Sequence, residues 1–388
     1  MKKYHFSEKN KFKDFILKKL FFVSQITCVI VLFISASSCN VLFKKKSAAK
    51  KEVIVYPSPP DQARFQYLTK ITTSNDIGSQ QSEFSKYILG PEKAKIMTKP
   101  YGIAIRNGKI YVCDYLAGGL EILDLEKKKF NFFTPGGLGH LTMPINCFID
   151  EKGYLYIADV GRSQIVVFDE NLNYVKSFGL KEQFKPSDVC VYGNKVFVGN
   201  TGSKNGNRIN VFANDSTNKL LYSIPDSDNT SHSTALGMPA NITIYNDKLY
   251  AADFAFSMVK AFTLDGKLID TLGYRGDRPG SFSKLKGVAV DKEENIFAVD
   301  AAFDNVQIFN KELKLLMDMG GHSYATGPGR GGMCLPAKVI VDYDNLKYFQ
   351  KYVDPSFDLK YLVFVTSQYG SDLINVYGRV ELKGQNSK

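Results

Sequence analysis

The 388-residue chain has no tryptophan, only four histidines and only six cysteines. Each scarcity excludes something. Beyond Cys39 the cysteines are Cys113, Cys147, Cys190 and Cys334. They form no CxxC pair, no haem-attachment CxxCH and no zinc ribbon. Three of them lie within apolar strand patterns, so buried free thiols are expected. No G-x-S-x-G elbow is present, which removes the usual frame for Ser-His-Asp catalysis. "GPGRGG" lacks the strand, GK[ST] and helix of a phosphate loop.

Acidic residues are scarce only at the start. The formal charge is +11. Residues 1–38 carry seven Lys against Glu8 and Asp14, giving +5, and Lys44, Lys45, Lys46, Lys50 and Lys51 give another +5. Only +1 remains for residues 52–388. A near-neutral body lacks the clustered basic face that nucleic acids require. No nucleic-acid partner is expected.

Aromatics other than tryptophan are abundant, with 28 Phe and 22 Tyr. With the many Val and Ile they favour strands. The strands repeat. "YVCDYLAGGLEIL", "YIADVGRSQIVVF", "YAADFAFSMVKAF" and "FAVDAAFDNVQIF" are versions of one phrase, recurring every 40 to 50 residues. Each unit opens with a short strand after Pro100, Pro144, Pro186, Pro239, Leu285 or Pro336. Hairpin turns follow, such as Asn107-Gly108, Lys152-Gly153, Gly193-Asn194 and Asn246-Asp247. The second strand ends at Asp114, Asp159, Asn200, Asp253, Asp300 or Ser367. A residue copied into every unit reads as architectural, bonding the amides of its own turn.

Six four-stranded units that cannot each bury both faces predict an all-β, six-bladed β-propeller of antiparallel blades. The sixth unit lacks an outer strand after "INVYGRVEL". "ARFQYLTKI" at 63–71 alternates correctly to supply it, closing the ring with an N-terminal strand in the last blade. The propeller is therefore placed at 63–382, with a C-terminal tail at 383–388. "DYDNLKYFQKYVDPSFDLK", from Asp342, interrupts the first hairpin of unit six and is expected on the face opposite the loops 273–282 and 320–332. Those two loops carry Arg and Gly and suit a partner or ligand surface.

The chain begins with a basic stretch, the apolar "LFFVSQITCVIVLFI" and then "SASSC". This resembles a bacterial lipoprotein signal peptide over 1–38, with Ala36 where leucine is usual and Cys39 as the lipidated residue. Leu20–Ser38 is also long enough to span a bilayer as an uncleaved anchor. Plain secretion is the third reading. Residues 39–62 form a flexible tether, stiffened by Pro57, Pro59 and Pro60. Lipidation at Cys39 implies a cell-envelope, extracytoplasmic location at a membrane surface.

The repeat resembles the NHL-repeat six-bladed propellers, and most closely bacterial lipoprotein members with a "PSPPDQARFQYL"-type entry segment. The resemblance covers about 62–382. The family's arginine survives only at Arg208; Gly119, Gln164, Met258, Asn305 and Leu373 occupy the matching positions.

Function should sit where the repeat breaks. The second residue after each proline-equivalent position runs Gly102, Asn146, Asp188, Asn241, Gly287, Lys338. Asn146, Asp188, Asn241 and Lys338 are the candidate ligand-binding set at the channel mouth. No catalytic residue is assigned. The expected role is a monomeric binding or scaffold module for an envelope protein or glycan, without cofactor. The alternative is a metal-dependent hydrolase or lyase. Asn146, Asp188 and Asn241 would hold calcium as in six-bladed lactonases of the gluconolactonase and paraoxonase type. His140, His232 and His322 would hold zinc as in NHL-type peptidylglycine lyases.

Overall fold

The computed structural model describes residues 52–78, 87–88, 93–180, 182–202, 207–226, 234–322, 327 and 329–384. The signal segment, Cys39, the tether to residue 51 and His232 lie outside these.

Alternating apolar residues and hairpin turns build one sheet per repeat. Blade 1 holds β3 (Pro100–Arg106), β4 (Lys109–Asp114), β5 (Gly119–Asp124) and β6 (Lys129–Phe133). Blade 2 holds β7 (Pro144–Ile149), β8 (Leu155–Asp159), β9 (Gln164–Phe168) and β10 (Tyr174–Phe178). Blade 3 holds β11 (Pro186–Tyr192), β12 (Lys195–Asn200), β13 (Arg208–Ala213) and β14 (Leu220–Ile224). Blade 4 holds β15 (Pro239–Tyr245), β16 (Lys248–Asp253), β17 (Met258–Thr263) and β18 (Leu268–Leu272). Blade 5 holds β19 (Leu285–Val290), β20 (Ile296–Asp300), β21 (Asn305–Phe309) and β22 (Leu315–Gly320). Every pairing is antiparallel and joins strands consecutive in sequence.

Blade 6 differs. Its order is β23 (Pro336–Asp342), β24 (Phe357–Ser367), β25 (Ile374–Leu382), β2 (Phe65–Ile71) and β1 (Val55–Tyr56). The N-terminal strand β2 lies against β25, with Phe65 opposite Arg379 and Ile71 opposite Ile374. Residues before 63 also pair in this sheet. β1 adds a fifth strand, pairing Val55 with Gln66 and Tyr56 with Phe65. Lys383 of the expected tail donates its amide to Ser356 O.

Each inner strand lies beside the next, and β23 returns to β3. The protein is therefore a closed six-bladed β-propeller. Its core is six apolar clusters, each between neighbouring sheets, rather than one centre. Phe168, Phe212, Phe262 and Phe309, at one repeat position, are all buried there. The closing strand joins the same packing: Phe65 meets the edges of Phe297 and Tyr361, at 5.9 and 6.2 Å between ring centroids.

Strand alternation places the start of every inner strand, and the segment leading into it, on one face, here the entry face. First hairpin turns lie on the other, the turn face. Asn107 and Gly108 have φ of 48° and 73°, and Asn246 and Asp247 have 47° and 55°. These left-handed values are what two-residue hairpin turns demand. The insertion after Asp342 lies on the turn face as expected, with 3₁₀ turns at Leu346–Tyr348 and Gln350–Tyr352. It straps the ring junction: Asn345 Oδ1 accepts from Gly108 N at 2.7 Å, and Tyr348 donates to Glu126 Oε2 at 2.7 Å. Among the described residues no helix is long and apolar enough to cross a membrane.

Candidate functional site

Inner strands present an unpaired edge to the axis, so their free N–H and C=O groups need partners there. The residues that break the repeat provide them. Asn241 Oδ1 accepts from Val288 N of blade 5 at 2.8 Å. Asp188 Oδ2 accepts from Ile242 N of blade 4 at 2.9 Å and from Asn241 Nδ2. Asn146 Nδ2 donates to Ser187 O of blade 3 at 2.7 Å. Lys338 reaches across from blade 6 to blade 3, where Nζ meets Asp188 Oδ1 at 2.9 Å. Blades 3 and 6 are three steps apart in a ring of six, so this ion pair bridges the axis.

Blades 1 and 5 carry glycine at this position because the next blade comes too close. A Cβ on Gly102 would lie 2.4 Å from Asn146 Cα, and one on Gly287 would lie 2.8 Å from Ala337 O. The structure thus brings Asn146, Asp188, Asn241 and Lys338 together, but as a buried plug. All four are less than a tenth exposed. Burial pushes the Asp188 carboxyl up from its ordinary range, and the Lys338 ammonium opposes that shift.

The plug does not suit calcium, which takes six to eight oxygens. The Asp188 carboxylate already faces an ammonium, an amide donor and a backbone N–H. Asn241 Oδ1 is taken, and only Asn146 Oδ1 lacks a donor. Of the three histidines proposed for zinc, His232 lies outside the described residues, and the other two do not meet. His140 is exposed, with Nδ1 3.0 Å from Gly137 O, and His322 pairs with Asp304. Among the described residues no group of three or more His, Cys, Asp or Glu is placed to hold a metal. The four described cysteines are free thiols, and Cys113, Cys147 and Cys190 are buried.

Below the plug, toward the turn face, an axial cavity of about 370 Å³ runs between the six inner strands to Lys292 and Tyr343. Above it, at the entry-face mouth, lies a cluster that the repeat comparison missed. Lys99 precedes Pro100, and Tyr101 follows it. Lys284 and Lys286 flank Leu285 at the same place in blade 5. Lys99 Nζ donates to Tyr369 Oη at 2.7 Å and lies 4.7 and 5.6 Å from the ring centroids of Tyr369 and Tyr115. Lys286 Nζ donates to Gln368 Oε1 at 2.9 Å and stands 5.6 Å from the Tyr101 ring. Gln368 and Tyr369 are consecutive in the turn after β24, so one turn holds both ammonium groups. Burial, with Lys284 and Lys99 nearby, pushes Lys286 down to about 8. Burial pushes the Tyr101 hydroxyl up to about 12, and the Asp188 charge below adds to it. The signal was in the sequence, one residue either side of the position compared.

The recurrent aspartates do more than cap their own turns. Asp114 takes amides from its turn (Leu116, Ala117) and from the entering segment (Thr98, Lys99). Asp159 and Asp300 repeat that double grip. In the third strands, Gln307 and Asn375 donate to Ser281 O and Gly332 O at 2.8 and 3.0 Å, holding entering segments. Glu121 occupies the equivalent place in blade 1, fully buried, and neither carboxyl oxygen meets a donor.

The 273–282 loop folds on itself: Phe282 N bonds to Tyr274 O, and Arg278 O accepts from Ser281 Oγ at 2.6 Å. Part of the 320–332 loop lies outside the described residues.

Comparison with known proteins agrees with this architecture. A family model described as a 6-bladed beta-propeller matches residues 199–317, from the end of β12 into β22. No curated protein matches the chain. A structural genomics protein of unknown function from Bacteroides thetaiotaomicron VPI-5482 is 12% identical at a TM-score of 0.56, over 82% of this chain and 76% of that one. Virginiamycin B lyase from Staphylococcus aureus is 13% identical at a TM-score of 0.46, over 72% of this chain and 84% of that one. At such identities the first likeness is one of fold alone, and the second is too loose to carry an argument.

Proposed function

We propose that the protein is a membrane-tethered, extracytoplasmic binding module that takes an envelope protein or glycan on its entry face. One observation carries the choice of face. Lys99 and Lys286, with Lys284 beside them, meet Tyr101, Tyr115 and Tyr369 there in a cationic and aromatic cluster on the segments that enter and leave the inner strands. Rigid scaffolds commonly place binding groups on such connecting segments. The leader, with Cys39 after small residues, supports lipid tethering and an NHL-type lipoprotein of bacterial kind.

The metal-dependent hydrolase or lyase reading gains no support from the plug, where all the candidate side-chain oxygens except Asn146 Oδ1 already have partners. The deciding measurement is metal content of the full-length protein purified in detergent. Stoichiometric calcium or zinc, lost in Asn241→Ala or His232→Ala, would replace the binding reading with the enzymatic one. Incorporation of an alkyne fatty acid in cells, abolished in Cys39→Ala, is the expected result for the tether.

A further inference from the structure

The entry-face mouth has a charge pattern that a structural role does not require. Lys195 stands singly on Tyr222 Oη at 3.1 Å, but other lysines of this protein find acids: Lys338 pairs with Asp188, and Lys248 with Glu294 at 3.2 Å. Lys99, Lys284 and Lys286 do not. Among the described residues no carboxylate pairs with any of them, and the two that are partly buried rest on neutral oxygens of Tyr369 and Gln368. Holding like charges together while removing them from water is unfavourable unless an anion completes the site. Tyr101 faces the Lys286 ammonium, and Tyr115 and Tyr369 face that of Lys99, with flat, partly apolar surfaces.

We propose that Lys99, Lys284 and Lys286, with Tyr101, Tyr115, Tyr369 and Gln368, form a seat for the carboxylate of an acidic saccharide. This deepens the binding-module reading and rests on it. A uronate sugar matches both halves of the site. Its carboxylate meets the ammonium groups in charge-assisted bonds, and its flat C–H face lies on a tyrosine ring. An acidic peptide would satisfy the charge alone, because its carboxylates sit on flexible stems with no flat face to offer the rings. The plug below closes the seat, so the ligand binds at the mouth and does not enter the axial cavity.

The test is calorimetry on the full-length protein in detergent with three probes: tetragalacturonate, a neutral galactose tetramer and tetraglutamate. Tetragalacturonate should bind, weakening as salt is raised; the other two should bind at least tenfold more weakly. Lys99→Met and Lys286→Met should each lower affinity about tenfold, the loss of one charge-assisted bond. Tyr369→Phe, which keeps the ring and removes the hydroxyl that accepts from Lys99, should lower it less. Lys152→Met, on the turn face, should change nothing and shows that a lost lysine alone has no effect. Unchanged affinity in the folded Lys99→Met and Lys286→Met variants, equal binding of the neutral tetramer, or no binding of tetragalacturonate overturns the seat. Tighter binding of tetraglutamate overturns the saccharide assignment and points to an acidic protein partner. None of these results bears on metal content, so the broader reading stands or falls separately.

Discussion

Glu121→Gln should stabilise the propeller, and increasingly so as pH rises. Glu121 is fully buried in β5, where its ionised carboxylate would meet no donor. Burial, with the Asp114 carboxylate beside it, pushes its pKa from an ordinary 4.5 up to about 10. Protonated, its hydroxyl can donate to Asp114. Burial also acts to raise Asp114, but the Glu121 hydrogen bond and the amides of Lys99, Thr98 and Ala117 outweigh it and lower that pKa. The pair therefore shares one proton in the folded state. An unfolded chain releases the Glu121 proton above 4.5, whereas the folded chain keeps it until about 10. The favourable contribution is complete below pH 4.5 and declines by about 1.4 kcal/mol per pH unit above it. At pH 7 the loss is about 3 kcal/mol, and it does not depend on the folded value so long as that stays well above 7. Glutamine keeps the shape, donates to Asp114 and does not titrate. Urea unfolding of both proteins should give a stability gap of about 1 kcal/mol at pH 5 and about 5 kcal/mol at pH 8, in favour of the variant. Parallel pH profiles for the two proteins would refute the reasoning, because they would mean that Glu121 titrates alike folded and unfolded.

Further outcomes follow from the same geometry. Lys338→Met should cost about 3 to 5 kcal/mol in urea unfolding, since it strands the buried Asp188 charge, whereas Asp188→Asn combined with Lys338→Met, which removes the charge and keeps an acceptor for Ile242 N, should recover part of that. Phe65→Ala should cost about 3 to 5 kcal/mol by opening a cavity between the closing strand and blade 5, measured the same way. Asn345→Ala should cost about 1 to 3 kcal/mol, because Gly108 N loses its acceptor at the ring junction. Lys286 should titrate near 8 by NMR of labelled lysine side chains. It should move upward in Lys284→Met and Lys99→Met, as removal of neighbouring positive charge favours its protonated form. The groups facing it are Lys99, Lys284, Gln368 and Tyr101, none of them an acid.

Much of the architecture was legible in the residues. The Pro-led inner strands, the Asn-Gly and Asn-Asp turns and the Asp-ended second strands are local signals, each readable within a dozen residues. The completion of blade 6 by residues 63–71 was legible too, because one unit lacked a strand and one unused segment alternated correctly. β1 escaped because Val55–Tyr56 is too short to show a period. The candidate site was only half readable. Asn146, Asp188, Asn241 and Lys338 stand out as breaks in the repeat, but nothing in their spacing tells an open pocket from a closed plug. Lys99 and Lys286 were obscured because attention to one repeat position hides its neighbours.

The sequence by itself settled the number of blades, the order of strands within each and the terminus that closes the ring. Those follow from alternation and turn chemistry, which act between residues close along the chain. Only the tertiary structure decided that Lys338 would neutralise Asp188, 150 positions away. It also decided that Gln368 and Tyr369 would draw Lys286 and Lys99 to one mouth. A buried polar group takes whichever partner the ring brings within about 3 Å, and that depends on blade placement around an axis that no single repeat encodes.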